Sequence, residues 1–116
     1  MKEKVIHYTE VPRTPVENCP KTWIRVLISR ADGALTYVMR IFEVEPGGYI
    51  PQHKHPWEHE IFVLDGEGMI TIEGNEYIVK PGTAIFIPPN FVHSYRNIGS
   101  SIWRFICTIP LQPTIE

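Results

Sequence analysis

Apolar and polar positions alternate along most of this chain in short runs, each closed by proline, glycine or asparagine. From His59 to Leu64 a period of two sends His59, Ile61 and Val63 to one face and Glu60, Phe62 and Leu64 to the other. β-Branched and aromatic residues dominate these runs, which favours strands over helices. Strands are predicted from Val5 to Tyr8, Trp23 to Ile28, Thr36 to Val44, Glu60 to Leu64, Gly68 to Ile72, Tyr77 to Lys80, Ala84 to Ile87, Val92 to Arg96 and Ser101 to Ile109.

The breaks between them carry turn chemistry. Ala31-Asp32-Gly33 reads as a turn, and Glu73-Gly74-Asn75-Glu76 as the turn of a hairpin. Thr9 to Thr22 holds Pro12, Pro15 and Pro20 and reads as an extended, irregular arm. No convincing long helix is present. Short strands with turn signals between them predict an all-β antiparallel sandwich or barrel. Two parts are expected, an N-terminal strand and arm over 1–22 and a barrel over 23–116, in one domain.

With 116 residues the chain has the length of one compact domain. Its net charge of −2, with no block of like charge, gives no reason to expect nucleic acid or an anionic membrane as a partner. No stretch has the length of a membrane-spanning helix, and the first residues lack the apolar core of a signal peptide. Cys19 and Cys107 form no redox or metal motif, so a reduced, cytoplasmic protein is expected.

Candidate chemistry comes from histidine. Four of the five histidines fall in two short stretches: His53, His55 and His59 in HKHPWEH, and His93 in NFVHSYRN. Neutral imidazole is a common ligand for first-row divalent metals. His53 and His55 share a strand face, and His59 shares their parity, with Pro56 interrupting the alternation. The same letters contain H-x-x-E-H, from His55 to His59, an inverted zinc-protease pattern. That pattern needs a helix to bring both histidines to one face. Pro56 biases His55 away from helical dihedrals, which argues against it.

At these residues the chain resembles the cupins. Gly47, five residues, His53, Lys54, His55, three residues, His59, six residues and Gly66 follow the first cupin motif, with His59 where the family usually has Glu. Gly82, five residues, Pro88, then Asn90, His93 and Asn97 follow the second, with Asn90 in place of Gly. The stretch from Val38 to Pro110 is similar to a small four-histidine manganese type of thermophilic origin. The resemblance implies a double-stranded β-helix, or jelly-roll, and one divalent transition metal on His53, His55, His59 and His93. Manganese is the first expectation, with iron, nickel, copper or zinc as alternatives. It also implies a homodimer. Glu60 is the alternative to His59, but strand parity and the spacing to Gly66 favour His59.

Parity supplies the expected surroundings. Glu43 is expected to face water, and Arg40, Phe42 and Val44 to face the barrel. Arg40 either grips a carboxylate substrate or pairs with an internal acid or reaches the rim. Trp103, Phe105 and Cys107 share a face, with Cys107 a small buried hydrophobe or a group near the metal. Trp57 is a candidate pocket wall, and Tyr95 shares the parity of His93. His7 is read as structural or surface. The functional expectation is a metal-dependent oxygenase acting on a small molecule. A non-catalytic ligand-binding or sensor module and a metal that only staples the fold are the alternatives.

Overall fold

A computed structural model describes residues 2–112, so the ends of the two expected parts, at 1 and 113–116, lie outside the described residues. Ten strands form, all pairings antiparallel, with no α-helix among the described residues. They are β1 (Thr14–Pro15), β2 (Thr22–Ile28), β3 (Tyr37–Val44), β4 (Tyr49–His53), β5 (His59–Asp65), β6 (Gly68–Ile72), β7 (Asn75–Val79), β8 (Ala84–Ile87), β9 (His93–Asn97) and β10 (Trp103–Pro110). One sheet runs β1-β2-β3-β10-β5-β8 and the other β4-β9-β6-β7. The expected barrel is thus a jelly-roll of two sheets that do not close on each other.

The period-two faces pack as the alternation demands. His59, Ile61 and Val63 are buried, as are Trp103, Phe105 and Cys107, while Glu60 and Phe62 are exposed. The core between the sheets is therefore built from one face of each strand. Aromatic rings line up through it. Tyr95 stacks on Phe105 at 5.4 Å, and Phe105 on Phe42 at 5.5 Å.

Turn chemistry sets the registers. Glu73 and Gly74 have φ of 49° and 81°, and Ile72 pairs with Asn75, so a two-residue turn with both φ positive closes β6 to β7. Gly68 cannot carry a side chain. A Cβ there would lie 2.3 Å from the Trp103 ring.

Three expectations fail. Val5 to Tyr8 is not a strand. Val5 to His7 precede a short 3-10 turn at Tyr8–Glu10 that takes in Tyr8, and Val5 is exposed, because no strand among the described residues pairs with that backbone. His53 and His55 do not share a strand, since β4 ends at His53 and a loop carries His55. Glu43 does not face water. It is 1% exposed, because the N-terminal arm covers the outer face of the sheet at β2 and β3. There Glu43 accepts from Arg104 at 2.8 Å, from Arg13 at 3.3 Å and from Arg25 at 3.4 Å. Three guanidinium groups from three chain segments replace the water that a carboxylate needs.

Candidate functional site

Each histidine of the cluster reaches the space between the sheets by a different route. His53 ends β4 and lies opposite His93 of β9 in the same sheet. His59 opens β5 in the facing sheet. His55 comes from the loop between them, and its carbonyl accepts a hydrogen bond from the backbone N–H of Asn90 at 2.7 Å. The first motif is thus tied to the second by backbone. Asn90 has a φ of 66°, the left-handed conformation that explains glycine in the motif and tolerates asparagine.

The four rings pack together. Centroids are 4.3 Å apart for His53 and His93, 4.9 Å for His59 and His93, 5.0 Å for His53 and His55, and 5.3 Å for His55 and His59. The Nδ1 of His53 lies 2.7 Å from the Pro51 carbonyl, and that of His93 lies 2.8 Å from the Phe91 carbonyl. A carbonyl only accepts, so in both rings Nδ1 carries the proton and the Nε2 lone pair is free. Two ring nitrogens, Nδ1 of His59 and Nε2 of His93, are buried without any partner. Such orphans are uncommon in a folded interior.

Burial, then the charges of His93, His55, Arg40 and His53, pushes His59 down to about 3. Burial also pushes His93 down to about 4, against the Phe91 carbonyl and with the charges of His53 and His55. Burial first, then His53 and Arg40, lowers His55. Those three rings are therefore neutral near pH 7, the state that ligates metal.

The donor set suits a divalent transition ion: clustered neutral imidazoles, carbonyl-fixed tautomers and unpaired buried nitrogens. The side chains are not arranged around a shared centre, however. No group of three or more His, Cys, Asp or Glu among the described residues is set to hold an ion as it stands. Nitrogens sharing one ion lie about 3 Å apart at usual bond lengths, so the rings must reorient to ligate together.

Beside the cluster lies a cavity of about 410 Å³, lined by His53, His55, His59, Arg40, Tyr95 and Cys107 among others. Three of the other expected site residues stand off it. Trp57 stacks flat on His55 at 4.6 Å, Phe105 lies behind Phe42 and Tyr95, and His93 is buried behind His53. Sequence reasoning missed the opposite wall: Val16, Asn18 and Cys19 of the arm, Ile24 of β2, and Ile50 and Gln52 of β4. The arm's only sequence signal was its prolines, which gave no destination for it. Cys19 and Cys107 are both free thiols.

Arg40 lies directly opposite Cys107 in the β3–β10 pairing, and its Nη2 donates to the Cys107 Sγ at 3.0 Å. Neither Glu58 nor Glu60 lines the cavity, and no other acidic residue among the described residues does.

Comparison with known proteins agrees with the fold. The polyketide cyclase RemF from Streptomyces resistomycificus is 36% identical, with a TM-score of 0.91 over 96% of this chain and 81% of that one. An uncharacterised protein of Methanocaldococcus jannaschii is 38% identical over 47% of this chain and 45% of its own length. An oxalate-binding protein of Thermotoga maritima is 33% identical over 60% of this chain and 58% of its own. The matched stretch thus spans less than two thirds of either of those last two relatives. The family model for the cupin domain matches residues 40–109, which takes in both histidine stretches and the strands that carry them. The chain belongs to the cupin family.

Proposed function

We propose that this chain is a metal-dependent cupin enzyme that holds one divalent transition ion on His53, His55, His59 and His93 and acts on a small organic molecule in the adjoining cavity. Manganese is the ion that resemblance favours. The observation that carries the reading is the pair of buried, unpartnered nitrogens, His59 Nδ1 and His93 Nε2, inside a four-imidazole cluster beside a cavity. A bound ion supplies Lewis-acid polarisation of an oxygen donor and, with a redox-active metal, access to O2 chemistry.

The chain's own residues do the rest. Pro51 and Phe91 carbonyls hold the His53 and His93 rings in one tautomer. Phe42, Ile50 and Tyr95 give the cavity an apolar stretch of wall. Four neutral imidazoles leave the ion's charge uncompensated, which favours anionic ligands. Among the described residues the cavity offers no carboxylate as a general base, which argues against isomerase or hydrolase chemistry that depends on proton transfer. An oxygenase is the reaction class this supports best.

A second reading is cyclisation of a polyketide-like substrate, favoured by the 36% identity to a polyketide cyclase across 96% of this chain. Oxygen uptake by the metal-loaded protein on a panel of small diols, phenols and keto acids separates the two. The oxygenase reading predicts metal-dependent uptake. Cyclisation of a poly-β-keto substrate without oxygen uptake supports the second, and no turnover of any kind leaves a binding module. A homodimer in the cytoplasm completes the proposal, and light scattering that shows a monomer at micromolar concentration opposes the dimer.

A further inference from the structure

Arg40 sits on the wall of this cavity from strand β3. It is part-buried, its Nε is fully buried, and that atom has no hydrogen-bond partner. Every other arginine found in an ion pair here meets Glu43, Glu45 or Asp65 on the outer face of the sheet. Arg40 is in none of the ion pairs among the described residues. Among the described residues its one side-chain hydrogen bond goes to the thiol of Cys107. Burial pushes that thiol up, against the pull of Arg40. It therefore stays a neutral S–H near pH 7 and leaves the guanidinium charge uncancelled. A part-buried cation without a counter-ion is costly unless function retains it.

We propose that Arg40 is the anchor for a carboxylate on the small molecule that occupies this cavity, with Cys107 bracing the guanidinium. The inference rests on the reading of this cavity as the functional site. A planar guanidinium with donors left over matches a carboxylate in two parallel hydrogen bonds. The thiol takes one donor and fixes the fork from the neighbouring strand, so the remaining N–H groups are held without loss of rotamer freedom on binding. The guanidinium carbon lies 5.0 Å from the Phe42 ring centroid, which holds it from one side. Ile24, Phe42, Ile50 and Tyr95 give the wall an apolar stretch, beside the polar Asn18, Gln52 and the histidines. The ligand class is therefore a small monocarboxylate with an apolar or aromatic body, of a size that a 410 Å³ cavity admits.

The test uses benzoate and benzamide, which share a shape and differ in charge. Calorimetric titrations are run on the full chain, chelator-treated and Mn-loaded, with the native sequence, Arg40→Lys and Arg40→Met. The native protein is expected to prefer benzoate over benzamide by roughly tenfold or more with and without metal, the scale of one charge-assisted hydrogen-bond pair. Arg40→Met is expected to abolish the preference, and Arg40→Lys to keep part of it. Manganese affinity of the variants is measured alongside and is expected to be kept or raised in Arg40→Met, since that change removes a positive charge that acts on His55 and His59. Thermal unfolding verifies that each variant is folded. If Arg40→Met does not fold, the native benzoate preference in chelated protein and its reduction by Arg40→Lys decide. Equal binding of benzoate and benzamide overturns the proposal, as does a benzoate preference that survives Arg40→Met or vanishes on chelation. Failure to bind manganese, with the Arg40-dependent preference intact, overturns the metal reading instead.

Discussion

The backbone N–H of Asn90 donates to the carbonyl of His55 at 2.7 Å, joining the loop that carries one histidine to the turn that precedes another. His55 lies outside any strand, so this bond is part of what holds its position. Asn90 makes it from a left-handed conformation, with φ of 66°. Asn90→Gly should therefore leave stability and metal affinity almost unchanged. Asn90→Val places a β-branched residue in that conformation and should cost roughly 1–3 kcal/mol. Thermal unfolding of the two variants measures the difference, and equal losses would remove the conformational argument.

Glu43 should set the acid limit of the fold. Burial alone pushes its carboxyl up, but hydrogen bonds and charge from Arg104 and Arg25 outweigh burial and hold it below the usual carboxylate range. The unfolded chain then binds the proton more readily than the folded one as pH falls. The contribution is fully present above the unfolded carboxylate value and is lost as pH drops through the depressed folded value. Glu43→Gln should flatten that acid limb. Glu43→Ala should destabilise by about 3 kcal/mol at neutral pH, as expected when one partner of a buried charged cluster is removed. Urea unfolding as a function of pH reads both.

Gly68→Ala should be strongly destabilising for a packing reason. The added methyl would overlap the Trp103 ring, which is fully buried and has nowhere to move. Overpacking of this kind costs about 1–3 kcal/mol or more. Gly74→Ala meets no atom within 4 Å and carries only the cost of its positive φ. Chemical denaturation of both variants should rank Gly68→Ala as the worse.

His59→Glu restores the carboxylate usual at that position of the family motif. It adds a negative charge beside the proposed ion, so inorganic azide should bind the metal-loaded variant more weakly than the native protein, by at least about threefold. Optical or EPR titration with azide measures it. An unchanged azide affinity would place His59 away from the ion.

Much of the site could be read from residues because motif spacing and strand parity are local. The buried face of His59, Ile61 and Val63 follows from a period of two, and the left-handed Asn90 from its place in the second motif. Glu43 could not be read that way. Parity put it on the outer face correctly, but its burial depends on Arg13 and Arg25 arriving from the arm and β2. Such partners are non-local, and a carboxylate surrounded by guanidinium groups looks in sequence like any solvated one. The destination of the arm was hidden for the same reason. Its two-residue strand β1 pairs with Trp23 and Ile24, and the stretch after it walls the cavity. A proline-rich segment carries no periodicity to announce either contact.

The central claim is that His53, His55, His59 and His93 hold one metal ion. The most direct test is calorimetric titration of chelator-treated protein with manganese, on the native chain and on His93→Ala. The account predicts a single ion per chain and an affinity for His93→Ala lower by a hundredfold or so, at or beyond the loss seen for supporting residues of metal sites. A native chain that takes up none of manganese, iron, nickel, copper or zinc would contradict it. So would manganese binding that His93→Ala leaves unchanged.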